Sequence, residues 1–381
     1  MKVAHVTPYF PPVTGGIETY VYELATRLAE KCDIEVFTCG RGVTEKAGKA
    51  VVHRIRAIDI KDLPLGLKIP YPIPPSLAYQ LVKSKPDIIH VHGHAFFTSF
   101  EGALAARLLK RPCIMTIHDV GLAYMDYSFI RGLRSFFDSI PVQSAIRWST
   151  IVIAQNSATR DYVSKFNPKK IVTIPQGVNT NQFKPSNNEG QYITFIAARL
   201  VKLKGDEVFI RAVPLIAKEI KDARFRVVGG GARENYLKEL ASENGVKDLV
   251  EFTGTVPHAD VPRYLAEASI VVCPGPTGLL LLEAAAMKKI IITIGHEWAL
   301  DALGNAAYFV PPNSPSKVSE TVVYALENRE ASNALVDAAY KKVRLERSWE
   351  IVAQRHLDLY NAICHTQTHS NRKLEHGRLR T

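Results

Sequence analysis

Cysteine is scarce in this chain. There are five, Cys32, Cys39, Cys113, Cys273 and Cys364, scattered and odd in number. No two stand as C-x-x-C. That pattern argues against a disulfide framework or a cysteine-bound zinc and for a reducing compartment. Long apolar runs are missing too. None approaches the roughly 20 residues that cross a bilayer. The opening Met1-Lys2-Val3-Ala4-His5-Val6 reads as a strand, too short and polar for a signal peptide. The expected location is cytoplasmic. No nucleic-acid motif is present, and nucleic acid is not expected as a partner. Acidic residues fall short of basic ones, 37 against 48, leaving a net charge of +11. Such a surplus attracts polyanions: nucleic acid, anionic lipid or nucleoside diphosphate. It does not choose among them, and a basic solvated surface accounts for it equally.

What is present is alternation. The chain has 381 residues, 46% of them hydrophobic, enough for two domains with real cores. Short apolar strands recur in the first half at Val3–Thr7, Ile34–Thr38, Val51–Ile55, Ile88–Val91, Cys113–Thr116, Ile151–Ala154 and Ile171–Ile174. In the second half they fall at Ile193–Ala197, Phe225–Val228, Val250–Thr253, Ile270–Cys273, Ile290–Thr293 and Ala307–Val310. Amphipathic helices separate them. Ile17, Tyr20, Val21, Leu24, Ala25, Leu28 and Ala29, for example, share one helical face. Repeated βα units imply an α/β fold with parallel sheets. The polar stretch Lys184-Pro185-Ser186-Asn187-Asn188-Glu189-Gly190 divides them into two Rossmann-like, doubly wound domains. The expected domains are 1–186 and 187–347, with a helix over 348–364 packing back on the first. Residues 365–381, polar and basic without periodicity, read as a disordered tail. Ligands of such sheets sit at the carboxyl ends of strands, so a cleft between facing domains is the expected site.

The most informative stretch runs from Pro274 to Ala286, Pro-Gly-Pro-Thr-Gly-Leu-Leu-Leu-Leu-Glu-Ala-Ala-Ala. A strand enters it, Pro and Gly break the chain, and a helix opens near Gly278 and Leu279. A helix N-terminus offers unpaired N–H groups and a positive dipole end to phosphate. One turn in, Glu283 is a good acceptor for sugar hydroxyls. This arrangement suggests a nucleotide-sugar pocket. Five further motifs stand in order along the chain. The first is Thr7-Pro8-Tyr9-Phe10-Pro11-Pro12-Val13-Thr14-Gly15-Gly16-Ile17-Glu18, where two glycines allow close backbone approach to a ligand. Thr116-Ile117-His118-Asp119 ends a strand. Ile174-Pro175-Gln176-Gly177-Val178-Asn179 leads to Phe183-Lys184-Pro185. Ala198-Arg199-Leu200-Val201-Lys202-Leu203-Lys204-Gly205 follows a strand and places two cations beside a helix start. Gly229-Gly230-Gly231 is followed by Phe252-Thr253-Gly254-Thr255-Val256. The run His90-Val91-His92-Gly93-His94 puts three histidines on one strand face by alternation. No cysteine or carboxylate adjoins them, and no metal is assigned.

In this order and spacing the motifs resemble the retaining glycosyltransferases of the GT-B fold, family 4, over nearly the whole chain up to Cys364. The resemblance implies that Arg199 and Lys204 flank the donor diphosphate and stabilise its charge as it leaves. It implies that His118 meets the donor sugar and that Val256 and Pro257 lie under the base. Glu283 would bind the ribose, and Gly15, Gly16, Gly229, Gly278 and Leu279 would line the donor. No cofactor beyond the donor is implied. The chain departs from the family at one place. Eight positions before Glu283 a second glutamate is usual, and here Gly275 stands. That carboxylate normally contacts the donor sugar. Gly295-His296-Glu297 likewise replaces a commoner Gly-Gly.

Tyr124 to Trp148 mixes aromatic and cationic residues directly after His118. That composition suits an interfacial segment on anionic lipid, or an ordinary packed helix with surface arginines. The apolar loop Leu63 to Pro75 is a second candidate for the acceptor edge. The expected function is metal-independent, retaining transfer of a sugar to a lipid-linked or glycan acceptor, peripheral to the inner membrane face. The alternatives are a non-catalytic subunit that binds a nucleotide sugar and, after it, a sugar-nucleotide epimerase.

Overall fold

Each run buried on both faces became a strand of a parallel sheet. The computed structural model describes residues 1–13, 15–59, 62, 72–118, 141–186 and 190–378, with backbone alone beyond 366. The described chain divides into two compact units. One comprises Met1–Gln176 with Glu350–Thr381, the other Gly177–Trp349.

The first unit begins with β1 (Lys2–Thr7), α1 (Gly16–Leu28), β2 (Asp33–Gly40), β3 (Val43–Ala47), β4 (Ala50–Arg56), β5 (Ile58–Asp59) and β6 (Pro72–Ile73). It continues through α2 (Leu77–Ser84), β7 (Ile88–His92), α3 (Phe97–Leu108), β8 (Cys113–Ile117), α4 (Gln143–Trp148), β9 (Ile151–Ala154), α5 (Ser157–Ser164) and β10 (Ile171–Thr173). Its main sheet runs β10-β9-β8-β7-β1-β2-β4-β3, parallel except for the antiparallel β3 edge. Strand order reverses between β1 and β7. β3 was missed in the sequence because Thr44, Glu45 and Lys46 show no apolar face. It is an exposed edge, where charge discourages further strand pairing.

Period-2 alternation sorts this sheet's faces. Ala4, Val6, Ile89, Val91, Met115 and Ile117 enter one apolar cluster. Their alternates His5, His90, His92 and Thr116 lie opposite, with His5 paired to His90 and His92 to Thr116 across the strands. α1 buries Tyr20, Val21, Leu24, Ala25 and Leu28, spaced for one face, and carries Glu18 in its first turn where the dipole favours it. Truncating Leu24 to Ala would remove about 2–5 kcal/mol of stability.

The second unit contains β11 (Tyr192–Arg199), α6 (Asp206–Glu219), β12 (Arg224–Gly230), α7 (Glu234–Glu243), β13 (Val250–Phe252), α8 (Val261–Ala266) and β14 (Ala268–Cys273). After these come α9 (Leu279–Ala286), β15 (Ile290–Ile294), α10 (Glu297–Leu303), β16 (Tyr308–Val310), α11 (Pro315–Glu327) and α12 (Arg329–Glu346). Its sheet is wholly parallel, β13-β12-β11-β14-β15-β16, and reverses between β11 and β14. Two core clusters cover its faces. Ile193 and Phe195 enter one and Ile196 the other, again with period 2.

Two boundaries differ from the sequence reading. The units divide at Gln176/Gly177, upstream of the polar stretch at 184–190. Val178 and Phe183 bury apolar side chains in the second unit's core, and Val178 pairs with Ser348. Of the polar stretch itself, 187–189 lie outside the described residues. The last helix, α13 (Trp349–Arg378), continues past 364 through most of the segment read as a disordered tail. Lost periodicity removes the case for a packed face, not for a helix. No proline interrupts the segment, and Gln, Lys, Leu, Glu and Arg are good helix formers. Upstream, Val352, Ala353, His356, Tyr360 and Ile363 are buried at three- and four-residue spacing.

Candidate functional site

In the second unit four segments close into a ring at the carboxyl ends of β11, β12 and β14. Leu200 N–H donates to Gly230 O at 2.9 Å, and Gly229 N–H to Gly254 O at 3.0 Å. His258 Nε2 meets Glu283 Oε1 at 2.6 Å. Lys204 Nζ donates to Pro276 O at 2.7 Å. The ring therefore holds Arg199, Lys204, Gly229, Val256, Gly278, Leu279 and Glu283, all singled out from the sequence. Val256 and Leu279 pack partly buried against the core. Lys202–Lys204 form one 3₁₀ turn, with α6 starting after it. Lys204 has its pKa lowered, first by burial and further by Arg199. Arg199 makes no ion pair or hydrogen bond through its side chain among the described residues and is exposed. The carboxylates nearby are mostly neutralised. Asp206, 0% exposed, and Glu207 both pair with Arg233.

Gly275 is explained by backbone, not by φ. It is absent from the residues with positive φ. A Cβ there would come within 2.6 Å of Leu203 O and overlap the Lys204 carbonyl. Gly205, at φ 77°, faces it, and a Cβ at 205 would lie 2.5 Å from the Pro274 carbonyl carbon. Two loops thus cross at a distance that excludes side chains, and a glutamate at 275 has no room. His296 reaches toward the same place. Its Nε2 accepts from Thr277 N–H at 3.4 Å, at the mouth of α9. Its pKa is lowered, first by burial and then by Lys204, which leaves the ring neutral at pH 7.

The first unit answers with imidazoles. His5 Nδ1 and His92 Nε2 share a hydrogen bond at 2.9 Å. His90 is held on both sides, by the Tyr360 hydroxyl at 2.6 Å and Thr116 Oγ1 at 2.7 Å. His118 Nε2 lies 3.4 Å from His92 Nδ1, and Gln155 Nε2 donates to His118 Nδ1 at 3.1 Å. His356 Nε2 contacts the Tyr20 hydroxyl at 3.1 Å. Burial lowers all five pKa values, helped for His5, His90, His92 and His118 by neighbouring imidazoles: His5 and His118 to about 3, His356 to about 4, His90 and His92 well below the usual value. His118 is thus a neutral hydrogen-bonding group, not a cation.

His5, His90 and His92 bring ligand atoms within 4.8 Å of one another and are the group among the described residues that could hold a metal. The web already occupies their nitrogens, leaving only His5 Nε2 without a partner. The 2.9 Å contact is also shorter than the roughly 3.3 Å between two nitrogens on one tetrahedral zinc. These distances describe hydrogen bonds. Gly93 at φ 79° ends the strand alternation before His94, whose ring lies 5.1 Å from Tyr162 and which helps to lower the His118 pKa. Gly15 caps α1, accepting from Thr19 N–H at 3.1 Å, and nothing lies within 4 Å of a Cβ built at Gly16. Of the expected acceptor segments, 63–71 and 119–140 lie outside the described residues. At 148, Trp148 packs against the core with the Arg107 guanidinium 5.6 Å over its ring, an ordinary packed contact.

Both halves match known families. The profile described as Glycosyltransferase Family 4 matches residues 14–182, and Glycosyl transferases group 1 matches 178–342. The chain belongs to glycosyltransferase family 4, group 1. This glycosyltransferase is 21% identical over 400 residues to the phosphatidylinositol N-acetylglucosaminyltransferase GPI3 subunit of Saccharomyces cerevisiae, covering 96% of this chain and 84% of that one. It is 26% identical over 388 residues to a GDP-mannose-dependent monoacylated alpha-(1-6)-phosphatidylinositol monomannoside mannosyltransferase of Corynebacterium glutamicum, covering 93% and 96%. Anabaena HepE, solved in complex with UDP, superposes with a TM-score of 0.76 at 17% identity, over 95% of this chain and 100% of that one. The fold is GT-B, with its two Rossmann-like units.

Several residues of these clusters were not singled out in the sequence as site residues, His5 and Gln155 among them. Tyr20 and His356 carry only helical periodicity, Tyr360 likewise, and His258 sits one place beyond the segment read as the base platform. For Tyr20 the burial face was legible; its hydrogen bond was not.

Proposed function

We propose that this glycosyltransferase moves a sugar from a nucleoside diphosphate sugar to a hydroxyl of a lipid-linked acceptor, with retention. One observation carries the reading. Arg199, Lys204 and the N-terminus of α9 converge beside Glu283 at the second unit's switch point. Fixed cations and N–H dipoles there suit a leaving diphosphate, and a carboxylate suits a ribose diol. In the reaction the C1–O bond to the diphosphate breaks and its electron pair stays with the phosphate. The acceptor oxygen bonds to C1 on the same face, and its proton passes to the leaving phosphate. Arg199 and Lys204 stabilise the charge that develops. His118 is neutral and held through both ring nitrogens, by Gln155 and His92. The names of the yeast and corynebacterial relatives support a phosphatidylinositol-type acceptor. Among the described residues no helix is long and apolar enough to cross a membrane. A cytoplasmic protein resting on the inner membrane face, drawn there by its +11 charge, fits that acceptor.

A second reading has one observation behind it: Gly275 lacks the sugar-binding carboxylate, and Lys204 leaves no room for one. On that reading the chain binds a nucleotide sugar without transferring it. Incubation with UDP- and GDP-sugars and phosphatidylinositol vesicles separates the readings. Labelled lipid with released nucleotide supports transfer; binding without turnover supports the second; an altered nucleotide sugar supports an epimerase.

A further inference from the structure

Glu283 is buried, with 4% of its side chain exposed, and a buried carboxylate needs a partner. It has one. Oε1 meets His258 Nε2 at 2.6 Å. Oε2 takes no hydrogen bond among the described residues, yet it is not one of the sealed, partnerless atoms, so it reaches solvent. His258 opens a single 3₁₀ turn, His258–Asp260, behind Pro257. Its ring centroid lies 5.5 Å from that of Phe183, and its carbonyl accepts from Gln182 Nε2 at 3.5 Å. The ring is thus steadied from the other side, while 46% of its side chain stays exposed.

We propose that His258 is a positioning residue for the nucleotide ribose. It fixes the Glu283 carboxylate through Oε1 and presents Oε2 to the ribose diol. This rests on the reading of Glu283 as the ribose acceptor. A carboxylate already oriented loses less freedom when the ligand arrives, so the hydrogen bond to His258 strengthens diol recognition without touching the ligand. Without the imidazole, Glu283 gains rotamers and both oxygens compete for water. The diphosphate contacts at Arg199 and Lys204 lie on another segment of the ring, while the expected base platform, Val256 and Pro257, adjoins His258 along the backbone, so the dideoxy ligands report whether a His258 substitution disturbs that platform.

The test compares ligands with and without the diol. UDP and GDP, each with its 2′,3′-dideoxy counterpart, are titrated calorimetrically into wild type, Glu283→Gln, His258→Phe and His258→Gln. Wild type should prefer the ribose form by about tenfold or more, the usual worth of charge-assisted hydrogen bonds. Glu283→Gln should abolish most of that preference. His258→Phe keeps an aromatic ring near Phe183 but loses the donor, so it should shrink the preference at least about threefold and leave the dideoxy affinity unchanged. His258→Gln, which retains an N–H near Nε2, should keep most of the preference. If His258→Phe melts early, His258→Ala carries the same comparison.

The proposal is overturned if the His258 variants keep the full preference while Glu283→Gln loses it. It is equally overturned if they weaken ribose and dideoxy forms alike, since that marks a merely structural role. A full preference in Glu283→Gln, or wild type binding neither probe, overturns the ribose reading itself.

Discussion

The two units share a doubly wound sheet and differ in what fills the point where strand order reverses. Beside β1 and β7 the first unit packs neutral imidazoles, a threonine and two tyrosines that hydrogen-bond one another and leave His5 Nε2 over. Beside β11 and β14 the second places cations, bare backbone and a carboxylate with one oxygen open. Topology supplies a ligand site at both places. Side chains distinguish the two: in the first unit nearly every imidazole nitrogen is engaged within the web, His5 Nε2 excepted, and in the second unit hydrogen-bonding capacity is left open toward solvent.

Acid should break the comparison most sharply. The five imidazoles are held neutral, with folded pKa values below the usual 6.5, so the unfolded chain binds more protons as pH falls. Their stabilisation is present above pH 6.5 and is lost progressively toward pH 3 to 4. At pH 5 His5 alone costs about 2 kcal/mol relative to pH 7.5. Hydrogen exchange should therefore show segments around 3–7 and 88–92 losing protection between pH 7 and 5 well before 193–199 and 270–273. Equal loss in both units would remove the contrast.

Charge removal comes next. Lys204→Ala and Arg199→Ala should each weaken UDP or GDP binding by about 1.5–3 kcal/mol, roughly 10- to 150-fold in Kd. Unchanged affinity in both variants would sink the phosphate clamp. Gly275→Ala sharpens the geometric claim. Its Cβ meets backbone, so a stability loss of about 1–3 kcal/mol is expected in thermal melts. A Gly275→Glu variant as stable as wild type would show that the loops do not cross as closely as described. The smallest expected effect is at His296. His296→Ala frees the Thr277 N–H and should change nucleotide affinity by no more than about threefold, because the lost bond is neutral and long.

Much of this was legible in the residues. Short apolar runs gave away nearly every strand of both main sheets, since most of these parallel strands are buried and rich in Ile and Val. The cations of Ala198–Gly205 and the turn into α9 were legible because they are local in sequence. Contacts between distant segments were not. His258 and Glu283 lie 25 positions apart, and His90 and Tyr360 270 apart. Nothing in either neighbourhood signals the other. Gly275 was visible as a departure, but its cause, the Lys204 backbone, belongs to another loop. The long last helix was hidden because helix propensity without an apolar stripe resembles a solvated tail.

The measurement that bears most directly on the central claim is hydrogen exchange of the full chain with and without saturating UDP or GDP. Nucleotide should slow exchange most strongly at 199–205 and 274–283, with a clear gain at 254–258. Unchanged exchange at those three segments, with protection gained only around 88–92, would contradict the assignment of the donor diphosphate to the second unit.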